Sequence, residues 1–226
     1  MNQVGNEING PIKITNKIYS KTFIQMFLGL LATGFISIFT YNSIGDNLEY
    51  VSYIFPIMAI VELLVVLIFS MFFRKLPPIA VRIMYYIYAV VNGVCLSTIF
   101  FEFEISSIIS VFFVSAFAYL LFALIGMYTK IDLSKIGTIL YIGLIVSLIF
   151  GIIGLIFNLG TFNLMVDIIV LMLFFGITAY DVQMARNMIV NNEIKEDKIH
   201  IYLAMQLYLD FINIFIRILS IFGKRK

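Results

Sequence analysis

The chain has 226 residues, 62% of them hydrophobic and 12% charged, with a mean hydropathy of +1.05 and a formal net charge of +2. Such a composition excludes an ordinary soluble domain and points to membrane helices, each needing about 20 apolar residues. There is no basic face for nucleic acid. The single cysteine, Cys95, excludes an intrachain disulfide, and the single histidine, His200, argues against a His-rich zinc site.

Residues 1–22 are polar and read as a cytoplasmic N-terminal segment. Lys13, Lys17 and Lys21 precede an apolar run that is too long for a signal h-region and has no small-residue cleavage site, so it reads as a retained first helix. Seven apolar segments follow, from about Phe23 to Ile44, Val51 to Phe73, Ile79 to Phe101, Ile105 to Tyr128, Ile136 to Phe157, Phe162 to Met184 and Ile199 to Phe222. Each is long enough for a helix to cross a core of about 30 Å. The connectors are short and carry turn chemistry (Gly45-Asp46-Asn47, Pro77-Pro78, Asp132-Leu133-Ser134, Asn158-Leu159-Gly160), which forces antiparallel neighbours. The expectation is an all-α integral membrane protein: one seven-transmembrane-helix bundle over 23–222 and a basic C-terminal tail, 223–226.

Charge sets the orientation. Asp46 and Glu49 mark the first connector, Arg74, Lys75 and Arg82 the second, Glu102 and Glu104 the third, Lys130 and Lys135 the fourth, and Arg186, Lys195 and Lys198 the sixth. This alternation predicts a cytoplasmic N-terminus. The tail Lys224-Arg225-Lys226 breaks it: the last segment either crosses despite the rule or is re-entrant, and its length favours crossing. With no Trp, Tyr41, Tyr50, Tyr53, Tyr128 and Tyr202 supply the interfacial belt, and Gly143, Ser147 and Gly151 form a small-residue packing face.

Several polar residues need a reason to lie inside spans. Asp181 falls in the stretch Phe175 to Gln183 and Asp210 in Leu207 to Asn213; a carboxylate near mid-bilayer costs roughly 2.5–3.5 kcal/mol on insertion scales. Gln206, Asp210, Asn213 and Arg217 share one helical face, which suits either a helix-joining polar network or a cation or proton path. Thr178 and Asp181 share a face of the sixth segment, with Asp167 toward its outer end as a solvated mouth residue. Nearby carboxylates at 181 and 210 would titrate as a coupled pair and share a proton. Glu62, deep in the second segment, serves either a pathway or a structural ion pair. Arg74 either pairs with Asp181 or is a snorkelling anchor. His200 reads as interfacial and Cys95 as packing. No catalytic constellation is present, so no enzyme is expected; a diaspartyl intramembrane protease would need a Gly-x-Gly-Asp element, which is missing.

The elements Ala179-Tyr180-Asp181-Val182-Gln183 and Ala204-Met-Gln-Leu-Tyr-Leu-Asp210-Phe-Ile-Asn213-Ile-Phe resemble the transmembrane Bax inhibitor motif family, in its bacterial branch. Helix number, short loops and Glu62 agree, so the resemblance covers nearly the whole chain from Phe23. It implies seven helices with the last at the centre and a pH-sensitive calcium leak. Asp181 and Asp210 would be the proton-sensitive gate, Arg74 would engage Asp181, and Glu62 would belong to the pore. Gln206, Asn213 and Arg217 complete the expected ion pathway. The two aspartates, Asn213, backbone and water would attract calcium weakly, as conduction requires, with no tightly bound cofactor. The expected partners are calcium, protons, the lipid bilayer and a membrane protein, in a bacterial plasma (inner) membrane crossed several times. The rivals are a proton-coupled cation transporter and a non-transporting regulator of a membrane protease or stress response.

Overall fold

The computed structural model describes residues 4–45, 57, 60–61, 64–66, 68–69, 71–73, 75–157, 159–191 and 196–226. Among these the chain forms seven helices: α1 (Val4–Ile44), α2 (Pro78–Leu96), α3 (Ile99–Glu102), α4 (Ile105–Tyr128), α5 (Ser134–Ile156), α6 (Gly160–Val190) and α7 (Glu196–Phe222). Six spans are long and apolar enough to cross a membrane: Lys17–Ile44, Pro78–Glu102, Ile105–Tyr128, Ser134–Gly154, Gly160–Val190 and Lys198–Phe222. They correspond to six of the seven expected segments. The remaining one, 51–73, lies largely outside the described residues; those described between 57 and 72 are helical. Two helices exceed the expectation. α1 starts at Val4, and α6 runs to Val190, past Met184, because backbone hydrogen bonding continues where hydrophobicity stops.

The outward faces are apolar. Phe113, Phe117, Ile139 and Ile145 are all more than half exposed. In water such faces would drive association. In a bilayer they meet acyl chains, while the helical backbone satisfies its own polar groups.

Contacts divide the chain into two units: Met1–Glu102 with Met188–Tyr208, and Phe103–Asn187 with Leu209–Lys226. In the first, α1 packs on α2 through a buried face of Ile18, Thr22, Met26, Thr33 and Ser37. Gly29 admits the Tyr85 ring, whose hydroxyl donates to the Gln25 carbonyl at 2.9 Å. The Tyr208 hydroxyl donates to Asn92 Oδ1 at 2.9 Å and meets Thr33 Oγ1 at 2.6 Å. Thr33 in turn reaches the Ala89 carbonyl at 2.9 Å, so one hydroxyl cluster ties α7 to α1 and α2. Pro78 opens α2 after Pro77, where a missing N–H costs nothing, and Lys198 Nζ donates to the Leu76 carbonyl of that turn at 2.9 Å. His200 is buried near the start of the Lys198–Phe222 span. Cys95 is free and buried.

In the second unit α5 and α6 form an antiparallel hairpin. The Gly137 position faces the Tyr180 ring, Gly176 faces Leu140, Gly143 faces Leu173, Gly151 faces Val166 and Gly154 faces Asn163. The small-residue face of α5 thus packs on α6, with Ser147 buried between its glycines. Gly126 of α4 lies so close to the Ala179 backbone of α6 that a Cβ there would stand 2.8 Å from Ala179 Cα.

The C-terminal end of α7 is tied to the start of α4. The Glu104 N–H donates to the Lys224 carbonyl at 2.9 Å, and the Lys224 N–H to Ser107 Oγ at 2.9 Å. Lys224 Nζ lies 2.8 Å from the Glu104 carboxylate, and Arg225 stands over the Phe103 ring. α7 runs as one helix from Glu196 to Phe222. The basic tail thus meets an acid of the third connector.

Candidate functional site: a buried aspartate pair

Both aspartates lie in the second unit, Asp181 at 4% exposure and Asp210 at 3%. α7 is 27 residues long and carries Asp210 near its middle. α6 is 31 residues long, about 46 Å at 1.5 Å per residue, so Asp181 lies about 14 Å from its C-terminal end. The two carboxyl groups interact electrostatically, and both act on Tyr119 of α4 and Tyr141 of α5. The four phenol and carboxyl groups thus come from four helices.

Hydrogen bonding around the two acids is unequal. The Tyr141 hydroxyl donates to Asp181 Oδ1 at 3.0 Å. Asp210 has the Thr178 hydroxyl within hydrogen-bonding reach, but Thr178 gives its own proton to the Phe174 carbonyl at 2.8 Å. Asp210 Oδ2 is buried with no hydrogen-bond partner among the described residues.

The stretch Ala179 to Gln183 spreads its contacts over three partners. Ala179 offers backbone to Gly126. Tyr180 lies edge-on to Tyr141, with ring centroids 6.1 Å apart. Gln183 clasps the α4–α5 connector, its Oε1 accepting from the Leu133 N–H at 2.8 Å and its Nε2 donating to the Ile131 carbonyl at 2.8 Å. One turn on, Arg186 Nη1 donates to the Met127 carbonyl at 3.1 Å, placing a cation at the C-terminal end of α4, where carbonyls lack helical donors.

The other expected site residues fare differently. Glu62 and Arg74 lie outside the described residues, as do Glu193 and Lys195 of the last connector. Gln206 is half-buried on α7, in the first unit. The Asn213 amide is turned back on its own helix, donating to the Leu209 carbonyl at 2.8 Å. Arg217 is ion-paired with Asp167, which also accepts from the Ser220 hydroxyl at 2.5 Å. Asp167, expected as a solvated mouth residue, is instead a partly buried partner whose side chain is 14% exposed. A guanidinium seven residues along α7 drew it in, because an unpaired charge at that depth is costly. Tyr119 and Tyr141 were missed. The available signal was a tyrosine away from the ends of α4 and α5, where a hydroxyl needs a polar partner.

No three His, Cys, Asp or Glu residues cluster as a metal site among the described residues.

Comparison with known proteins decides the family. Residues 15–226 match the family described as inhibitor of apoptosis-promoting Bax1. The chain belongs to this Bax inhibitor family. Among Bax inhibitor relatives, inner membrane protein YbhL of Escherichia coli (strain K12) is 32% identical over 207 residues, covering 89% of this chain and 88% of its own. An uncharacterized protein of Deinococcus radiodurans is 30% identical over 208 residues, covering 91% and 90%. An uncharacterized membrane protein of Streptococcus pyogenes serotype M3 is 30% identical over 214 residues, covering 92% and 93%. The match takes in α2 to α7 entirely, so the two aspartate-bearing elements lie within the Bax inhibitor region.

Proposed function

We propose that this protein is a pH-sensitive calcium leak of the bacterial plasma membrane, gated by the proton content of the Asp181–Asp210 pair. The observation that carries this reading is the pair itself: two buried carboxyl groups on successive helices, both acting on Tyr119 and Tyr141 between them. The nearest described arginines along α6 and α7, Arg186 and Arg217, are bound to Met127 and Asp167 instead. One shared proton halves the charge of the pair and lets the two groups bond. Its loss leaves two like charges in a low-dielectric interior, where they repel and attract a cation.

Seven helices cross the membrane with the last at the centre, and the N-terminus is cytoplasmic. The masses moved are calcium and protons, no tightly bound cofactor takes part, and no chemical reaction is catalysed. Glu62 and Arg74 serve the pore and the gate, with Gln206 and Asn213 along the path. Family membership and the naming of YbhL as an inner membrane protein support the location.

The test is calcium uptake into proteoliposomes loaded with a calcium-sensitive dye, with both sides clamped at each of several pH values. The reading expects downhill uptake that varies with pH and loses that variation in Asp181→Asn. Uptake that occurs only against an opposing proton gradient would replace the leak by a proton-coupled transporter. No uptake at any pH from folded, inserted protein would replace it by a regulator of another membrane protein.

A further inference from the structure

The first unit carries a polar feature of its own, on α1. The membrane-spanning part of this helix runs from Lys17 to Ile44, and its buried face includes Thr22, Thr33 and Ser37. Polar side chains at that depth are costly unless they find partners, because lipid offers none. Thr22 Oγ1, Gln25 Nε2 and Ser37 Oγ are nonetheless buried with no hydrogen-bond partner among the described residues. Thr22 is 0% exposed and Ser37 3%. A helical hydroxyl can turn back to the carbonyl four residues earlier, as Ser43 does to Phe39; Thr22 and Ser37 leave that bond unmade. Buried polar groups that the protein leaves unpaired are typically satisfied by internal water. The spacing suits such water. Thr22 and Ser37 lie about 22 Å apart along α1, most of a hydrocarbon core of about 30 Å. Between them come Gln25, the Tyr85 hydroxyl at the level of Gly29, and Thr33 with Tyr208 and Asn92. Successive levels are about 4–6 Å apart, a gap that one water with two hydrogen bonds of about 2.8 Å closes.

We propose that the buried face of α1 binds a file of water molecules, held by Thr22, Gln25 and Ser37, with the Tyr85 hydroxyl and the Thr33–Tyr208–Asn92 cluster as the rungs between them. The Tyr85 hydroxyl gives its proton to the Gln25 carbonyl, and its oxygen still accepts one from a water. The file is an uncharged polar route into the membrane. Hydroxyl and amide groups both donate and accept, so they suit water and the protons that water relays. With no carboxylate among these residues, the set has no charge to draw calcium out of solvent. All of these residues belong to the first unit, whereas Asp181 and Asp210 belong to the second, so the file stands or falls independently of the calcium reading.

The experiment is hydroxyl-radical footprinting of the intact protein in lipid vesicles, with the radicals made by X-rays and the products read by mass spectrometry. Such radicals form from water where it sits, so they oxidise side chains beside buried water. Met26 and Met188 are the matched probes, 5% and 4% exposed. Met26 lies one turn from Thr22 on the buried face of α1, and Met188 lies on an apolar turn with Ala185 and Ile189. Met26 should oxidise several-fold faster than Met188, and Thr22→Val should bring it down to the Met188 rate. Equally slow oxidation of both in the intact protein would overturn the proposal, as would a fast Met26 that Thr22→Val leaves unchanged. Thermal unfolding in detergent gives a second readout, since valine keeps the shape of threonine and removes only the hydroxyl. A hydroxyl that holds water loses a bond in the variant, so Tm should fall or stay level. A hydroxyl without water is an unsatisfied group that valine removes, so a raised Tm would contradict the file.

Discussion

Gly126→Ala adds one methyl group where α4 and α6 touch. The new Cβ would stand 2.8 Å from both the carbonyl carbon and Cα of Ala179, with the carbonyl oxygen closer still. Carbon–carbon contacts are optimal at about 3.5–4.0 Å, so the helices must part by roughly 0.7–1.2 Å at the crossing. The obstacle is backbone and cannot rotate away. Overpacking of this kind costs about 1–3 kcal/mol, against at most about 1 kcal/mol regained from the better helix propensity of Ala. The expected net loss is about 1–2 kcal/mol, or roughly 2–8 °C in Tm for a chain of this size. The assay is thermal unfolding in detergent by circular dichroism. Gly34→Ala is the control, because a Cβ there meets nothing within 4 Å; it should leave Tm unchanged or raise it. Gly126→Ala at or above the wild-type Tm would refute the close crossing. Ala179 is two residues from Asp181, so Gly126→Ala should also displace the pH response of calcium flux, and Gly34→Ala should not.

Other expected outcomes rest on different parts of the fold. Tyr208→Phe removes the hydroxyl shared by Thr33 and Asn92; losing the two bonds should lower stability by about 1–3 kcal/mol, seen as a lower Tm. The Asp132 carboxyl lies outside the spans and is held below its ordinary range, first by the Ser134 hydroxyl and then by the Ser134 N–H. A group with a depressed folded pKa contributes its stability above the unfolded value and loses it as pH falls through the folded value. Amide exchange at the start of α5 should therefore accelerate only in strongly acidic solution, below the model-peptide Asp range of about 3.9, and Asp132→Asn should remove that pH dependence. Deleting Lys224–Lys226 removes both backbone bonds to the α4 start, so hydrogen exchange at Glu104 should quicken while that of the α5–α6 hairpin stays the same.

Hydropathy and turn residues made six of the spans legible because both effects are local. The same locality hid where helices continue into polar sequence, as at Val4 and Val190. The aspartates were legible because ionisable groups in apolar runs are costly wherever they face. Their partners were not, since Tyr119 and Tyr141 reach the pair through helix phase and interhelical register, which close contacts such as Gly126–Ala179 and Gly137–Tyr180 set. The α7 stripe from Gln206 to Arg217 was correctly a single face by periodicity. Its members nonetheless chose separate partners, Asn213 its own helix and Arg217 Asp167, a choice that depends on what the opposite helix offers at each level. The pairing of the basic tail with Glu104 was not legible, because the two are distant in sequence and adjacent only after folding.

The central claim is that a proton shared by Asp181 and Asp210 governs calcium passage. The most direct test compares calcium uptake by proteoliposomes holding intact protein with uptake by the Asp181→Asn/Asp210→Asn double variant across the same pH series. The account predicts pH-dependent uptake in the intact protein and a flat response in the variant. An unchanged pH response in a folded, inserted double variant would contradict it.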